Sequence, residues 1–138
     1  MNKVKLFVLV LFACAIVPGA HAQTKAAFEV KVHISNHSNN CAWVTIYSSR
    51  PGLGWGIEKA LWYRAGDSGT FKTAFPNIGI IQLPAEIKVR AEYVQTRDCH
   101  GGVVGDREGV KKGIFPSGND YSVEVSANID QSGVHFSY

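Results

Sequence analysis

Five stretches of the chain alternate apolar and polar residues with a period of two, and this pattern limits the possible folds more than any other feature. In FEVKVHIS, at 28–35, every even-numbered residue is apolar and every odd-numbered residue is polar. Similar alternation marks IKVRAEY (87–93), YSVEVSA (121–127), GTFKTAF (69–75) and VHFSY (134–138). Successive side chains of a strand point to opposite faces, so the pattern predicts strands with one buried face.

Clusters of turn-forming residues separate these stretches. They are SNHSNN, SSRPGLG, AGDSG, FPN, LPAE, DCHGG, FPSGND and DQSG. Gly, Pro, Asn, Asp and Ser favour turns because they adopt or stabilise the required backbone angles. Short strands joined by such loops are typical of an antiparallel β-sandwich or barrel, and we expect a small all-β, antiparallel β-sandwich.

The first 22 residues have the features of a secretory signal peptide. Lys3 and Lys5 precede the apolar run LFVLVLFACAIV, and AHA at 20–22 supplies the small residues that a signal peptidase reads. We expect cleavage after Ala22, which leaves 23–138 as a single domain that is secreted or periplasmic.

A lipoprotein signal is the alternative for the same segment. LFAC would then place a lipid on Cys14 and anchor the protein to a membrane. Phe12 is bulky for such a motif and the apolar run continues beyond Cys14, so the ordinary signal peptide is favoured.

Loss of the signal peptide would change the charge of the chain. The full sequence has 14 Lys and Arg against 11 Asp and Glu, a formal charge of +3, and without Lys3 and Lys5 the balance is 12 to 11, or +1. A nearly neutral surface gives little reason to expect a nucleic-acid partner. No second apolar segment is long enough to cross a bilayer, so we expect a soluble monomer, with Lys111 and Lys112 in a solvated turn.

Two cysteines, Cys41 and Cys99, remain after the signal, and in an oxidising compartment they predict a disulfide. A metal site would need further ligands at short spacings, and in an extended chain His100 points away from its neighbour Cys99. Trp55 lies between the cysteines, an order that resembles immunoglobulin domains. However, Arg97 stands two residues before the second cysteine, where such domains have Tyr. We therefore expect a sandwich that is immunoglobulin-like in general architecture and is not a true immunoglobulin domain.

Motifs associated with catalysis are incomplete. GDSGT at 66–70 resembles the GDSGG around the nucleophilic serine of chymotrypsin-like proteases. However, Asp67 is the first aspartate, so no aspartate other than that of the motif itself lies between an earlier histidine and Ser68. GLGWG is not followed by a helix that could hold phosphate. His33 and His37 are too far apart along a strand to share a metal ion. We predict no catalytic residue, cofactor or metal site.

The segment GLGWGIEKALWYRAG, at 52–66, fits neither a helix nor a strand cleanly. A helix would lack an N-terminal cap, whereas every neighbouring segment alternates like a strand. We predict a loop at Pro51–Gly56 and a strand at Ala60–Arg64.

Aromatic residues are concentrated near this segment. If Val44 and Ile46 are buried, the alternation turns Trp43 and Tyr47 to the opposite face. These aromatics either fill a second buried face or form a binding surface. The candidate binding residues are Trp43, Tyr47, Arg50, Trp55, Trp62, Tyr63 and Arg64.

The sequence thus favours a non-catalytic binding module for a protein or glycan partner at the cell envelope or outside the cell. One alternative is an inhibitor of an extracellular enzyme that inserts the SSRPGLGW loop. Another is a small hydrolase whose site the motifs do not show, which would need a cleft with titratable groups.

Overall fold

A computed structural model describes residues 28–76, 83–116 and 121–138. They form eight strands in two four-stranded sheets, with the orders β4-β1-β7-β8 and β3-β2-β5-β6. The strands are β1 (Phe28–Asn36), β2 (Ala42–Ser49), β3 (Gly56–Tyr63), β4 (Ser68–Phe75), β5 (Ala85–Val94), β6 (Val103–Ile114), β7 (Ser122–Asp130) and β8 (Gly133–Ser137). The predicted all-β sandwich is confirmed, while the expected signal peptide at 1–22, including Cys14, lies outside the described residues.

The sheet β3-β2-β5-β6 is antiparallel throughout, whereas the other sheet contains one parallel pair, β1 and β7. Parallel neighbours need a long connection, and five strands separate β1 from β7 along the chain. No helix within the three described ranges has the length and apolar character needed to cross a membrane.

Most of the core consists of apolar residues predicted by the two-residue alternation. Tyr121 and Tyr138, each at one end of its alternating stretch, are instead 67% and 74% exposed. In β1 the four residues Phe28, Val30, Val32 and Ile34 are fully buried, while the polar residues between them are partly exposed. The inward residues of β2, β5 and β7 complete the layer between the sheets. Full burial of such an aliphatic side chain contributes about 1.5–3 kcal/mol relative to exposure, so these strands account for most of the hydrophobic stabilisation.

Strand β6 differs from the sequence prediction, which placed Lys111 and Lys112 in a turn. Both residues lie within this strand, most of which is exposed on both faces. Pairing with β5 holds it in place. Close packing also holds it, because a Cβ at Gly109 would lie 2.6 Å from the Val134 carbonyl oxygen. A strand without a buried face produces no alternation in its sequence.

The predicted disulfide between Cys41 and Cys99 is confirmed, with 5.0 Å between the two Cα atoms. It ties the residue before β2 to the loop between β5 and β6. Nearby, Asn36 is 1% exposed, and its amide donates to the carbonyl oxygens of Asn40 and Tyr63 at 2.9 Å. Its Oδ1 accepts a 2.7 Å hydrogen bond from the Ser38 hydroxyl, so this side chain stabilises the crossing from β1 to β2.

The segment at 52–66 is a loop followed by a strand, as predicted, but the strand begins at Gly56 rather than Ala60 and ends at Tyr63. The pairing of β3 with β2 shifts between Ile46 and Tyr47, where Lys59 and Ile57 are the successive partners. This bulge explains why neither regular pattern fits the segment.

Candidate functional site

The outer face of the sheet β3-β2-β5-β6 carries three rows of side chains that run across the strands. Val44 and Ile46 are buried in the core, so the alternating residues of β2 point outward. Their partners on neighbouring strands share that face. The rows are Trp62–Trp43–Glu92–Asp106, Ala60–Thr45–Arg90–Glu108 and Ile57–Tyr47–Lys88–Val110. Together with Trp55, which packs near Lys88, these residues are called the aromatic face.

Trp43 and Trp62 are directly opposite each other on β2 and β3. Their ring centroids are 5.0 Å apart and the planes are inclined by 60°, an edge-to-face arrangement that aromatic pairs favour. Trp43 is half-buried, whereas Trp62, on the edge strand, is 48% exposed. The ring of Trp62 is therefore accessible to a partner, and its contact with Trp43 restricts its orientation.

The loop before β3 places Trp55 over the third row. The Ser49 hydroxyl donates to the Leu53 carbonyl oxygen at 2.8 Å, and Gly52 adopts a φ of 81°. The Lys88 ammonium lies 4.5 Å from the Tyr47 ring centroid and 4.9 Å from that of Trp55. This double cation–π contact links the loop to β2 and β5.

The charged residues of the aromatic face are paired with one another. Arg90 donates from Nη2 and Nε to Asp106 Oδ2 at 2.7 and 3.2 Å, and its Nη1 is 3.6 Å from Glu92 Oε1. The hydrogen bond to Asp106 raises the pKa of Arg90. Lys88 is 4.0 Å from Glu108. The three rows thus carry three carboxylates and two cations, and each cation has an acidic partner.

The structure brings together four of the seven candidate binding residues: Trp43, Tyr47, Trp55 and Trp62. Tyr63 is 5% exposed and faces the core, where burial raises its pKa. Arg64 is exposed just after β3, and its backbone N–H donates to Asp67 Oδ2 at 2.9 Å. The position of Tyr63 follows from the strand alternation, because its neighbour Trp62 points outward.

Arg50 lies at the end of the core and is 6% exposed. Its guanidinium stands 5.4 Å from the Phe75 ring centroid and 5.9 Å from that of Phe28. It donates to the carbonyl oxygens of Pro76 and Leu83 at 2.5 and 3.4 Å. Desolvation lowers its pKa. The side chain therefore has a structural environment and presents little surface to a partner.

The outer face of the other sheet has a different character. It presents Lys31, His33 and Glu124, with Lys31 Nζ 3.2 Å and His33 Nε2 3.6 Å from the same Glu124 oxygen. The contact with Lys31 lowers the pKa of Glu124. The remaining outward residues of its two central strands are also polar: Glu29, Ser35, Ser122, Ser126, Asn128 and Asp130. The two sheets thus differ sharply in what they expose.

A cluster of Asp130, Ser132 and His135 at the β7–β8 turn had no counterpart in the sequence motifs. The Ser132 hydroxyl lies 2.9 Å from His135 Nε2 and donates to Asp130 Oδ1 at 2.6 Å. Asp130 approaches the same Nε2 atom, at 3.3 Å. In a catalytic triad the carboxylate contacts the other ring nitrogen and the serine is free to attack. Here Asp130 accepts from the backbone N–H groups of Ser132 and Gly133, which is how an aspartate stabilises a turn.

A shallow pocket lies between the two sheets at the disulfide-linked end. Its lining residues are Asn40, Tyr93, Val104, Gly105, Arg107 and Gln131, and its volume is about 190 Å³. Sites for small molecules usually exceed about 300 Å³. Within the described part of the chain, no three His, Cys, Asp or Glu residues are grouped to hold a metal ion.

No protein-family model matches the chain. No curated protein matches it either. The chain is similar to the disulfide-locked mutant of intermedilysin solved with human CD59, with 8% identity and a TM-score of 0.36 over 79% of this chain and 23% of that chain. It is also similar to a Gram-negative toxin, with 17% identity and a TM-score of 0.28 over 80% of this chain and 22% of that chain. The chain thus spans less than a quarter of either structure, and similarity at this level carries no functional argument.

Proposed function

We propose that the protein is a non-catalytic binding module, secreted or periplasmic, that uses the aromatic face to bind a protein or glycan partner at the cell envelope or outside the cell. One observation carries the proposal. All three tryptophans and Tyr47 are on the outer side of one sheet, whereas the outer side of the other sheet is polar.

The energetics of sheets make this asymmetry informative. An antiparallel sheet that packs on one side normally presents polar residues to water on the other. Trp62 is 48% exposed and Ile57 is 69% exposed, so apolar surface remains in contact with water. Tryptophan and tyrosine are the residues that most often dominate binding energy when a partner covers them.

The scaffold beneath the aromatic face supports a binding role. Trp43 and Tyr47 are on β2, a central strand paired on both sides, and Val44 and Ile46 between them point into the core. The platform is therefore held before a partner arrives, which reduces the conformational entropy lost on binding. Trp55 is tied to the same platform through Lys88.

A non-catalytic role is supported by the chemistry of the aromatic face. Its charged side chains are Lys88, Arg90, Glu92, Asp106 and Glu108, and these pair with one another across β5 and β6. A general acid or base must be able to contact a reacting group, whereas these three carboxylates are engaged by Lys88 and Arg90.

The test compares substitutions on the two outer faces. Trp43→Ala and Trp62→Ala should abolish binding to arrayed glycans or extracellular proteins that retain the native protein, while the control His33→Ala on the opposite face should leave binding intact. Truncation of core tryptophans costs about 3–5 kcal/mol, and the half-exposed Trp62 should cost far less. The proposal fails if Trp62→Ala unfolds the protein, or if both tryptophan variants bind like the native protein.

A further inference from the structure

We infer that the ligand of the aromatic face is a neutral oligosaccharide, which lies across the strands with one sugar ring stacked on Trp62. The inference rests on the proposed function and names the ligand class for the same surface. It is carried by the first row of side chains, Trp62–Trp43–Glu92–Asp106.

The first row has the length and the chemistry of an extended saccharide site. Neighbouring strands lie about 4.8 Å apart, so the row spans about 14 Å, enough for more than one sugar ring. It begins with two aromatic rings and ends with two carboxylates. A ligand that suits this row needs an apolar face at one end and hydroxyl groups at the other.

Trp62 meets the apolar requirement. The face of an indole ring carries partial negative charge, which attracts the C–H groups on the flat side of a pyranose ring. Trp43 packs against Trp62 at 60° and restricts its ring, so the platform exists without the ligand. Trp62 is also on the edge strand, which leaves room for a sugar to approach.

The polar end of the row meets the hydroxyl requirement. The side chains of Glu92 and Asp106 are 29% and 55% exposed, and that of Arg90, between them, is 39% exposed. Carboxylates accept hydrogen bonds from sugar hydroxyls, and a guanidinium donates to sugar oxygens. Hydrogen bonds to charged groups are the stronger kind, and the ion pairs hold these groups in place.

The charge pattern argues against an anionic ligand. Polyanions bind by neutralising their charge on free Lys and Arg side chains. On the aromatic face Arg90 already pairs with Asp106 and Glu92, and Lys88 lies between Tyr47 and Trp55 near Glu108. An acidic polysaccharide would have to compete with these acids for both cations.

The same rows favour a sugar over a protein partner. The centres of protein interfaces are depleted of charged residues, because burial of charge is costly. Five of the twelve row positions are charged. Among them, Glu92 is the cross-strand neighbour of Trp43, and Lys88 contacts the Trp55 ring. A sugar can bind beside them while the charges keep contact with water.

The experiment titrates the purified native protein with four neutral probes: cellohexaose, maltohexaose, mannohexaose and chitohexaose. Heparin and polygalacturonate are the anionic comparisons. Calorimetry and tryptophan fluorescence should detect a sub-millimolar Kd for at least one neutral probe, with no tighter binding of either polyanion. Trp62→Ala should weaken that binding at least tenfold and Glu92→Gln by several-fold, with thermal melts confirming that the variants are folded.

Tyr121→Ala is the matched control, because Tyr121 is an exposed aromatic residue beside β7, outside the aromatic face, and its replacement should change the affinity less than twofold. Absence of binding by all four probes, or binding unchanged in Trp62→Ala, overturns the inference. A protein partner that depends on Trp62, with no sugar binding, overturns it while the proposed function stands. If neither a sugar nor a protein binds the native protein in a way that depends on Trp62, both the inference and the proposed function are overturned.

Discussion

Asp130 illustrates how a single exposed residue can shape the response of this protein to acid. Hydrogen bonds from Ser132, and then the contact with His135, lower the pKa of Asp130 from 3.8 to about 2. A carboxyl group whose pKa is lower in the folded state than in the unfolded chain stabilises the fold at pH values above its pKa in the unfolded chain. That stabilisation disappears as the pH falls from about 4 to about 2.

We expect Asp130→Asn to make the free energy of unfolding depend less on pH in this range, because an amide does not titrate. Urea unfolding at several pH values between neutrality and pH 2 would measure the change, with Ser126→Ala on the same strand as control. Glu124 and Asp98 also have lowered pKa values, so some acid sensitivity should persist in the variant. If the free energy of unfolding of the variant falls with pH just as that of the native protein does, the assigned role of Asp130 is wrong.

Individual side chains divide into those whose environment the sequence predicts and those whose environment depends on distant residues. Alternation around Val44 and Ile46 predicts that Trp43 and Tyr47 point outward, and they do. Nothing local predicts that Arg50 is buried. Its environment is formed by Phe28 and Phe75, which are distant in sequence and stack on each other with centroids 5.5 Å apart. The burial of Arg50, which lies next to a turn-forming segment, can therefore be recognised only from the assembled sheets.

At the scale of single elements, β3 is open to unwanted pairing with another molecule. It is an edge strand, and its residues from Gly56 to Ala60 are exposed. Two devices that discourage edge-to-edge association are present. One is the bulge opposite Ile46 and Tyr47. The other is Lys59, which pairs with the inward-facing Ile46 and thus brings charge to the inner side of the edge.

Replacement of that charge should therefore promote association. We expect Lys59→Val to form dimers or larger species at concentrations where the native protein remains dispersed, because the edge would gain apolar surface and β propensity. Sedimentation velocity measures the distribution of species. Lys72→Val is the matched control, since Lys72 lies on another edge strand, β4, but on its outer face. Equal association of both variants would show that a protective role for Lys59 is wrong.

The strands with one buried face could be predicted from sequence, whereas β3 could be predicted only in part and β6 not at all. The alternation in β1, β5 and β7 reflects one-sided burial, and these strands lie where expected. β6 has exposed residues on both faces and follows no period. The start of β3 was misjudged because Gly56 and the bulge interrupt its pattern. Both errors arise where pairing, rather than burial, defines the strand.

The assembly of the whole molecule depends on contacts between residues distant in sequence. Alternation shows which face of a strand is buried, but it does not show which strand lies beside it. The pattern therefore does not predict the parallel pairing of β1 with β7. Nor does it predict that consecutive strands are divided between two sheets. The assignment of Trp43 and Trp62 to one row has the same origin, since it requires the register of β2 against β3.

The disulfide is the covalent contribution to this assembly. Cys41 and Cys99 are 58 residues apart in sequence, and the bond restricts the unfolded chain by a loop of that size. Loop-closure entropy at this length gives about 4 kcal/mol as an upper value. Hydrogen bonds hold the same region in the folded state: Cys41 N–H donates to the Thr96 carbonyl oxygen and Val94 N–H to that of Cys41, both at 2.9 Å.

Because those hydrogen bonds do not need the bond between the sulfurs, we expect the Cys41→Ala, Cys99→Ala double variant to fold and to be markedly less stable. A loss of about 3 kcal/mol should lower the Tm by roughly 10 °C or more for a domain of this size. Calorimetry of the variant and of the native protein with and without reductant measures the loss, and reductant should leave the Tm of the variant unchanged. Two free thiols in denatured, non-reduced native protein, or a Tm that reductant does not alter, would contradict the stabilising role of the disulfide.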